Sequence, residues 1–359
     1  MDLKSTLRRF LPKETPKPTR PTRTTPDLDP IFRGQEIETP MGVCYVVEKS
    51  FSFGEPWGDY KIYPSLAKDS LDGLALLGAG DIPALNPART LFLDTETTGL
   101  AGGTGTYAFL VGVGRFTDDG FVVKQFLMRD FNEELALLYG LEQELKEAET
   151  IVSFNGKTFD IPLLKTRFAI SRLDFAGVNH HHQVDLLHMA RRLWRSKLES
   201  CSLGSLESNI LGLTRTDDIP GFEIPQRYFE FLQAGDGTLL QDILEHNVLD
   251  IVSMAVLIGV INTHGLFAPD DCECPWEAES LGQIYANGGD FGMALRFIDR
   301  AWTLSYDKEQ QIRLLRNAAL LNKRRKNYTA AADLWQRLLR LAEDDLMAYE
   351  ELAKHYENR

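Results

Sequence analysis

Residues 91 to 99 read Leu-Phe-Leu-Asp-Thr-Glu-Thr-Thr-Gly, an apolar run that ends on two acids. A strand sets side chains i and i+2 on one face, so Asp94 and Glu96 point one way and Thr95 the other. Two carboxylates converging at the end of a buried strand repel each other, by about 4 kcal/mol at 4 Å in an effective dielectric of 20. Their convergence implies a bound cation. Gly99 stands where the strand must turn, and the glycines from Gly99 to Gly105 lead into another strand. A phosphate-cradling loop opens a helix, so that chemistry is excluded here.

Working outward, Tyr107 to Phe116 and Phe121 to Met128 are β-prone runs joined by Asp118-Asp119-Gly120, a hairpin signal. Asp130 with Glu133 offers a helix start, and Leu135, Leu138, Leu141 and Leu145 hold a helical period. Thr150 to Phe154 is the next strand, and another ends near Val184. Strands joined by tight turns, then helix and strand in alternation, predict a mixed α/β sheet. Upstream, Val43 to Tyr63 reads as a small hairpin annex with a Gly/Pro turn at Gly54 to Gly58.

Two further acids complete the pattern. Asp160 closes Asn155-Gly-Lys-Thr-Phe-Asp160-Ile-Pro, where an acid can also simply cap a helix. Gly156-Lys157-Thr158 imitates the end of a Walker motif, but Ile151 occupies the first-glycine position, which excludes NTP binding. Asp250 lies on a long, mostly apolar and therefore buried helix from Thr238 to about Ile261, which a Thr238/Gln241 capping box would open. His246 precedes Asp250 by one turn on the same face. Such a pair can be a mere hydrogen bond, and a buried Asp needs a partner or a metal.

Asp-Thr-Glu-Thr-Thr-Gly, Asn-Gly-Lys-Thr-Phe-Asp-Ile-Pro and the helical Asn247 to Asp250 together resemble the three exonuclease motifs of the DEDD superfamily. The middle motif is similar to that of the proofreading exonuclease of family B DNA polymerases. Residues 40 to 262, with the hairpin before the first motif, Val184 to Trp194 and Leu203 to Glu207, most resemble the YprB-type ribonuclease H-like domain proteins.

The resemblance implies a ribonuclease H-like mixed five-stranded sheet with flanking helices, and two Mg²⁺ or Mn²⁺ ions on Asp94, Glu96, Asp160 and Asp250. It further implies a hydrolase, a 3′-to-5′ exonuclease on single-stranded RNA or DNA, with Thr98, Gly99, Leu100, Asn155 and Phe159 beside the terminal nucleotide. His246 is the candidate general base. One branch of the family carries Tyr four residues before the last Asp and the other carries His five before, so His246, at four, departs from both. Acting as base, orienting water, or only bonding Asp250 all stay open. Two other readings are a weakly active or inactive nucleic-acid-binding scaffold and a structure-specific endonuclease.

Residues 1 to 40 hold seven of the sixteen prolines without an apolar period and read as a disordered tail. Residues 1 to 25 carry seven Lys or Arg against two acids, a local charge of +5 within a chain of net −13. An acidic chain can still bind nucleic acid through metal ions and a local basic strip. Arg191, Arg192, Arg195 and Lys197, beside Trp194, form either such a strip, with an aromatic for base stacking, or a solvated helix face. Four scattered cysteines suggest neither disulfides nor zinc. The basic N-terminus lacks an apolar core of a signal sequence, and no apolar run approaches the roughly 20 residues of a spanning helix. A cytoplasmic location is expected.

Past Pro275, Phe291, Ala294 and Ala301 are matched 37 residues later by Tyr328, Ala331 and Leu338, a spacing that resembles the second helix of a tetratricopeptide repeat. Too few repeats to stand alone imply docking on the main domain or on a protein partner. The expected organisation is thus a tail over 1–40, annex and linker over 41–90, an exonuclease domain over 91–262 and a small all-α repeat domain over 276–359.

Overall fold

The computed structural model describes residues 26, 28–63, 71–78, 85–99, 104–173, 182–216 and 218–357. The basic segment 1–25 lies outside them, as does Leu100.

The apolar-then-acid run forms β5 (Thr90–Thr97), an inner strand of a seven-stranded sheet. The other strands are β1 (Gln35–Thr39), β2 (Gly42–Ser52), β6 (Ala108–Phe116), β7 (Gly120–Leu127), β8 (Thr150–Ser153) and β9 (His182–Asp185), in the order β1-β2-β7-β6-β5-β8-β9. Pairing is antiparallel from β1 to β5 and parallel through β8 and β9, so the sheet is mixed as expected. It has seven strands instead of five. The annex strand β2 pairs along β7 from Tyr45 opposite Leu127 to Ser52 opposite Gly120. That pairing satisfies an edge of β7 that would otherwise expose its backbone polar groups. Among the described residues, only β3 (Pro56–Trp57) and β4 (Tyr60–Lys61) form a separate small sheet.

Within the span expected to be a tail, residues 29–32 and 35–39 form regular structure. A turn of helix at Asp29–Phe32 precedes β1, with Leu28 buried and Tyr45 Oη donating to Asp29 Oδ1 at 3.1 Å.

The longer helices are α1 (Glu134–Glu147), α2 (Asp160–Ser171), α3 (Leu186–Trp194), α4 (Ile224–Ala234), α5 (Gln241–Gly265), α6 (Pro275–Asn287), α7 (Phe291–Leu304), α8 (Lys308–Arg324), α9 (Tyr328–Leu341) and α10 (Leu346–Glu357). Helix α4 was not foreseen. Its buried Ile224, Tyr228 and Phe231 recur at helical spacing, and Tyr228 stacks on Phe109 with ring centroids 3.9 Å apart. The Thr238/Gln241 capping box is replaced by a different start. Asp236 caps a 3-10 turn at Gly237–Leu240, accepting from Thr238 N and Thr238 Oγ1, and α5 follows. The segment Gly237–Gly265 is long enough, and in its most apolar stretch apolar enough, to cross a membrane, contrary to the expectation from sequence. Of its most apolar window, 78% is buried inside the protein, between the sheet and the C-terminal helices.

Those C-terminal helices pack on the domain through Glu277 of α6. Its carboxylate receives Trp194 Nε1 at 3.1 Å and Lys197 Nζ at 3.0 Å, and lies 3.3 Å from His264 Nδ1. The 37-residue recurrence is a structural one. Asp290 and Asn327 cap α7 and α9 in the same way, and Gly289 and Lys326 before them both take left-handed backbone, with φ of 87° and 61°.

Candidate active site

Strand alternation places Asp94 and Glu96 on the face that α5 covers. What lets α5 approach is the residue opposite Asp94 on β6, Gly112. A Cβ there would stand 2.1 Å from Asn247 Oδ1 and 2.4 Å from Ile251 Cδ1. Asn247 uses that space to donate from Nδ2 to Asp94 Oδ2 at 2.8 Å. Its amide cannot flip without loss, because Gln125 Nε2 donates to Asn247 Oδ1 at 2.9 Å and to Leu244 O at 2.8 Å. The register between β5 and β6 shifts at Glu96/Thr97, a bulge that ends regular pairing beside the acids.

Asp160 arrives from the other side. Thr95 faces away from Asp94 and Glu96, and its Oγ1 donates to Asp160 Oδ1 at 2.5 Å, so the first residue of α2 meets the strand end there. The turn before it is tightly held. Asp185 accepts from Asn155 N at 2.9 Å, Lys157 N at 3.2 Å and Leu187 N at 3.1 Å. Asn155 has a left-handed φ of 65°, and a Cβ on Gly156 would lie 2.4 Å from Ser153 Oγ.

The electrostatics report a shared negative field. Burial first, then Asp250, Glu96 and Asp160, hold the Asp94 carboxyl well above the usual range, against the Asn247 hydrogen bond. Burial pushes Glu96 up to about 8, with His246 opposing and Asp250 and Asp160 adding. Burial pushes Asp160 up to about 6 in spite of its bond from Thr95. Among the described residues, no Lys or Arg forms an ion pair with Asp94, Glu96 or Asp160.

Asp250 differs, for Arg215 Nη2 donates to its Oδ1. Arg215 also clasps the buried Glu207 through Nε and Nη2, both at 2.6 Å, and reaches Asp218 Oδ2 at 3.0 Å. His246 Nδ1 lies 2.7 Å from Asp218 Oδ1, and its Nε2 lies 3.8 Å from Asp250 Oδ2. Burial lowers the imidazole pKa, but Asp250, Glu96 and Asp218 outweigh it and the net shift is upward. Sequence reasoning missed Arg215 and Asp218, which sit in an aperiodic loop. Glu207 left a signal, a charge at a helical position within an apolar stretch.

Four carboxylates are hard oxygen donors of the kind that suits Mg²⁺ or Mn²⁺, so the donor chemistry fits the implied ions. Among the described residues, no three His, Cys, Asp or Glu side chains are grouped closely enough to hold an ion as they stand. Asp160 is engaged by Thr95 and Asp250 by Arg215.

Of the expected substrate contacts, Thr98 and Gly99 continue directly from β5. Thr98 Oγ1 accepts from Tyr107 N at 2.9 Å, and Gly99 O accepts from Thr97 Oγ1 at 2.8 Å. Asn155 is exposed and Phe159, at the cap of α2, is half-buried. Trp194 is fully buried and cannot stack a base, whereas Arg191, Arg192 and Arg195 are exposed.

Residues 91–262 match the RNase_H superfamily. The chain is 33% identical over 276 residues to a Bacillus subtilis (strain 168) protein described as "Uncharacterized protein YprB". The match takes in 76% of this chain and spans 66% of that relative's length. Among solved structures, the family B DNA polymerase of the hyperthermophilic archaeon Pyrobaculum calidifontis is 17% identical, with a TM-score of 0.39 over 68% of this chain and 34% of the polymerase.

Proposed function

Through residues 91–262 the chain belongs to the RNase_H superfamily, whose members are generally nucleases, and on that footing we propose that it is a divalent-cation-dependent 3′-to-5′ exonuclease acting on single-stranded RNA or DNA ends. The observation that carries this reading is the set of three carboxylates, Asp94 half-buried and Glu96 and Asp160 buried, that form no ion pair with a Lys or Arg among the described residues. Crowded carboxyls without a Lys or Arg beside them ionise only at a cost, which a bound cation offsets, and hydrolysis of a phosphodiester is the chemistry that bound cations at such a site serve.

Asp94, Glu96, Asp160 and Asp250 are the residues to hold two Mg²⁺ or Mn²⁺ ions. When bound, such ions supply an activated water and stabilise the departing oxygen. The other residues orient and transfer. Asn247 aims the Asp94 carboxylate. Asp218 takes Nδ1 of His246, which leaves Nε2 on the Asp250 side to accept a proton or orient water. Thr98, Gly99, Asn155 and Phe159 border the terminal nucleotide, with Leu100 next in the chain. The repeated C-terminal helices act as a tetratricopeptide-like platform for a protein partner, and the protein works in the cytoplasm.

The test incubates the purified chain with end-labelled single- and double-stranded RNA and DNA, with and without Mn²⁺. Shortening of single strands from the 3′ end, dependent on Mn²⁺ and lost in Asp94→Ala, is the expected result. Internal cuts would indicate an endonuclease, and binding without any cleavage would indicate a scaffold.

A further inference from the structure

The acid cluster already contains one cation, and that cation belongs to the chain. Arg215 is rooted from behind. Glu207, fully buried, takes its Nε and Nη2 at 2.6 Å each and also accepts from Ser253 Oγ. Ser253 in turn accepts from Trp57 Nε1 at 2.9 Å. The β3/β4 hairpin is itself locked onto the same loop. Asp59 N donates to Leu211 O at 2.7 Å, and neither Gly58 nor Gly212 has room for a Cβ, which would meet Leu211 O at 2.0 Å and Asp59 Oδ2 at 2.2 Å respectively. A guanidinium fixed in this way cannot easily follow its partners.

Its free edge is spent on the cluster. Nη2 donates to Asp250 Oδ1, and Nη1 bonds Asp218 and lies 3.3 Å from His246 Nδ1. Of the four acids, Asp250 alone is thereby neutralised, while Asp94, Glu96 and Asp160 have no such partner among the described residues. A divalent ion that takes Asp250 as a ligand must either displace Nη2 or share the carboxylate with it, and in both cases it meets a positive charge that burial leaves poorly screened.

We propose that Arg215 is a positioning residue acting through Asp250, and that by competing for this carboxylate it sets how tightly the site binds divalent cation. In cation-free protein it holds Asp250 in place of the ion; when the ion binds, it yields Oδ1 and stays with Glu207. The inference rests on the cation-dependent reading above.

The test measures Mn²⁺ binding by electron paramagnetic resonance on the full chain without nucleic acid, so no turnover enters. Arg215→Gln is expected to bind Mn²⁺ about tenfold more tightly than the parent, within the range of ordinary coupling between sites. A merely structural role for Arg215 moves affinity the other way, because a loosened loop scatters the ligands. Arg215→Gln also strands the buried Glu207 carboxylate, so the double variant Glu207→Gln/Arg215→Gln, checked by thermal denaturation, repeats the measurement with no orphaned charge. Tighter binding in the folded variants supports the competition. Equal or weaker binding beside a parent that binds Mn²⁺ overturns it and leaves the nuclease reading intact. If neither parent nor variants bind Mn²⁺, the cation-dependent reading fails and this inference falls with it.

Discussion

Asn247 Nδ2 lies 2.8 Å from Asp94 Oδ2, and it can do so only because Gly112, the cross-strand neighbour of Asp94, has no side chain. Gly112→Ala would drive a methyl into Asn247 and Ile251 and push α5 off β5. The expected result is a loss of about 1–3 kcal/mol of stability, the usual cost of overpacking, with a fall in cleavage beyond what the folded fraction explains. Urea denaturation alongside an activity assay checks it. An unchanged denaturation midpoint would mean that α5 does not rest against Gly112.

Asp94→Asn should separate stability from activity. Desolvation, then crowding by Asp250, Glu96 and Asp160, makes ionised Asp94 costly in the folded protein, and an uncharged amide of the same shape avoids that cost. In cation-free buffer near neutral pH, the variant is expected to be more stable than the parent by on the order of 1–3 kcal/mol. Its cleavage should fall on the order of 10³-fold, as when a group that stabilises transition-state charge is removed. A destabilised Asp94→Asn would show that the acids are compensated by something other than bound cation.

The central strand was legible because its chemistry and its period coincide. Leu91 to Leu93 form a continuous apolar run, and Asp94 and Glu96 then fall together on the one face that strand geometry dictates. Residues such as Cys44 to Val47 announce a strand but not its partner, so β2 read as an annex when it extends the main sheet along β7. Arg215 and Asp218 were invisible for a different reason. They lie in an irregular loop and meet His246 and Asp250, 28 to 35 residues along the chain, only through tertiary packing. Nor does a tryptophan's surface character follow from its helix. Trp194 sits beside exposed arginines yet is turned wholly into the core against Glu277.

The repeated helix starts make a prediction that concerns stability alone. Lys326 takes the left-handed conformation that Gly289 takes 37 residues earlier, and a side chain there costs about 1–2 kcal/mol. Lys326→Gly should therefore stabilise the protein, by about 0.5–1 kcal/mol once the added freedom of the unfolded chain is counted. Gly289→Ala should destabilise it by about 1 kcal/mol. Opposite signs in thermal denaturation are the signature, and the same sign in both would break the structural equivalence of the two positions.

Glu277 makes the junction between the C-terminal helices and the domain sensitive to acid. Burial pushes its carboxyl up, but the contacts from His264 and Lys197 prevail and hold it down at about 2, against an ordinary 4.5. A carboxylate with a depressed pKa contributes stability that is present above its unfolded pKa and is lost as pH falls through the folded one. The relevant window therefore runs from about pH 4.5 down to about 2, and the contribution at stake is on the order of 2–3 kcal/mol. Glu277→Gln should lower stability at pH 7 and flatten its decline across that window. Denaturation midpoints recorded at successive pH values for parent and variant read this directly. Parallel curves for the two proteins would place the acid-sensitive junction elsewhere.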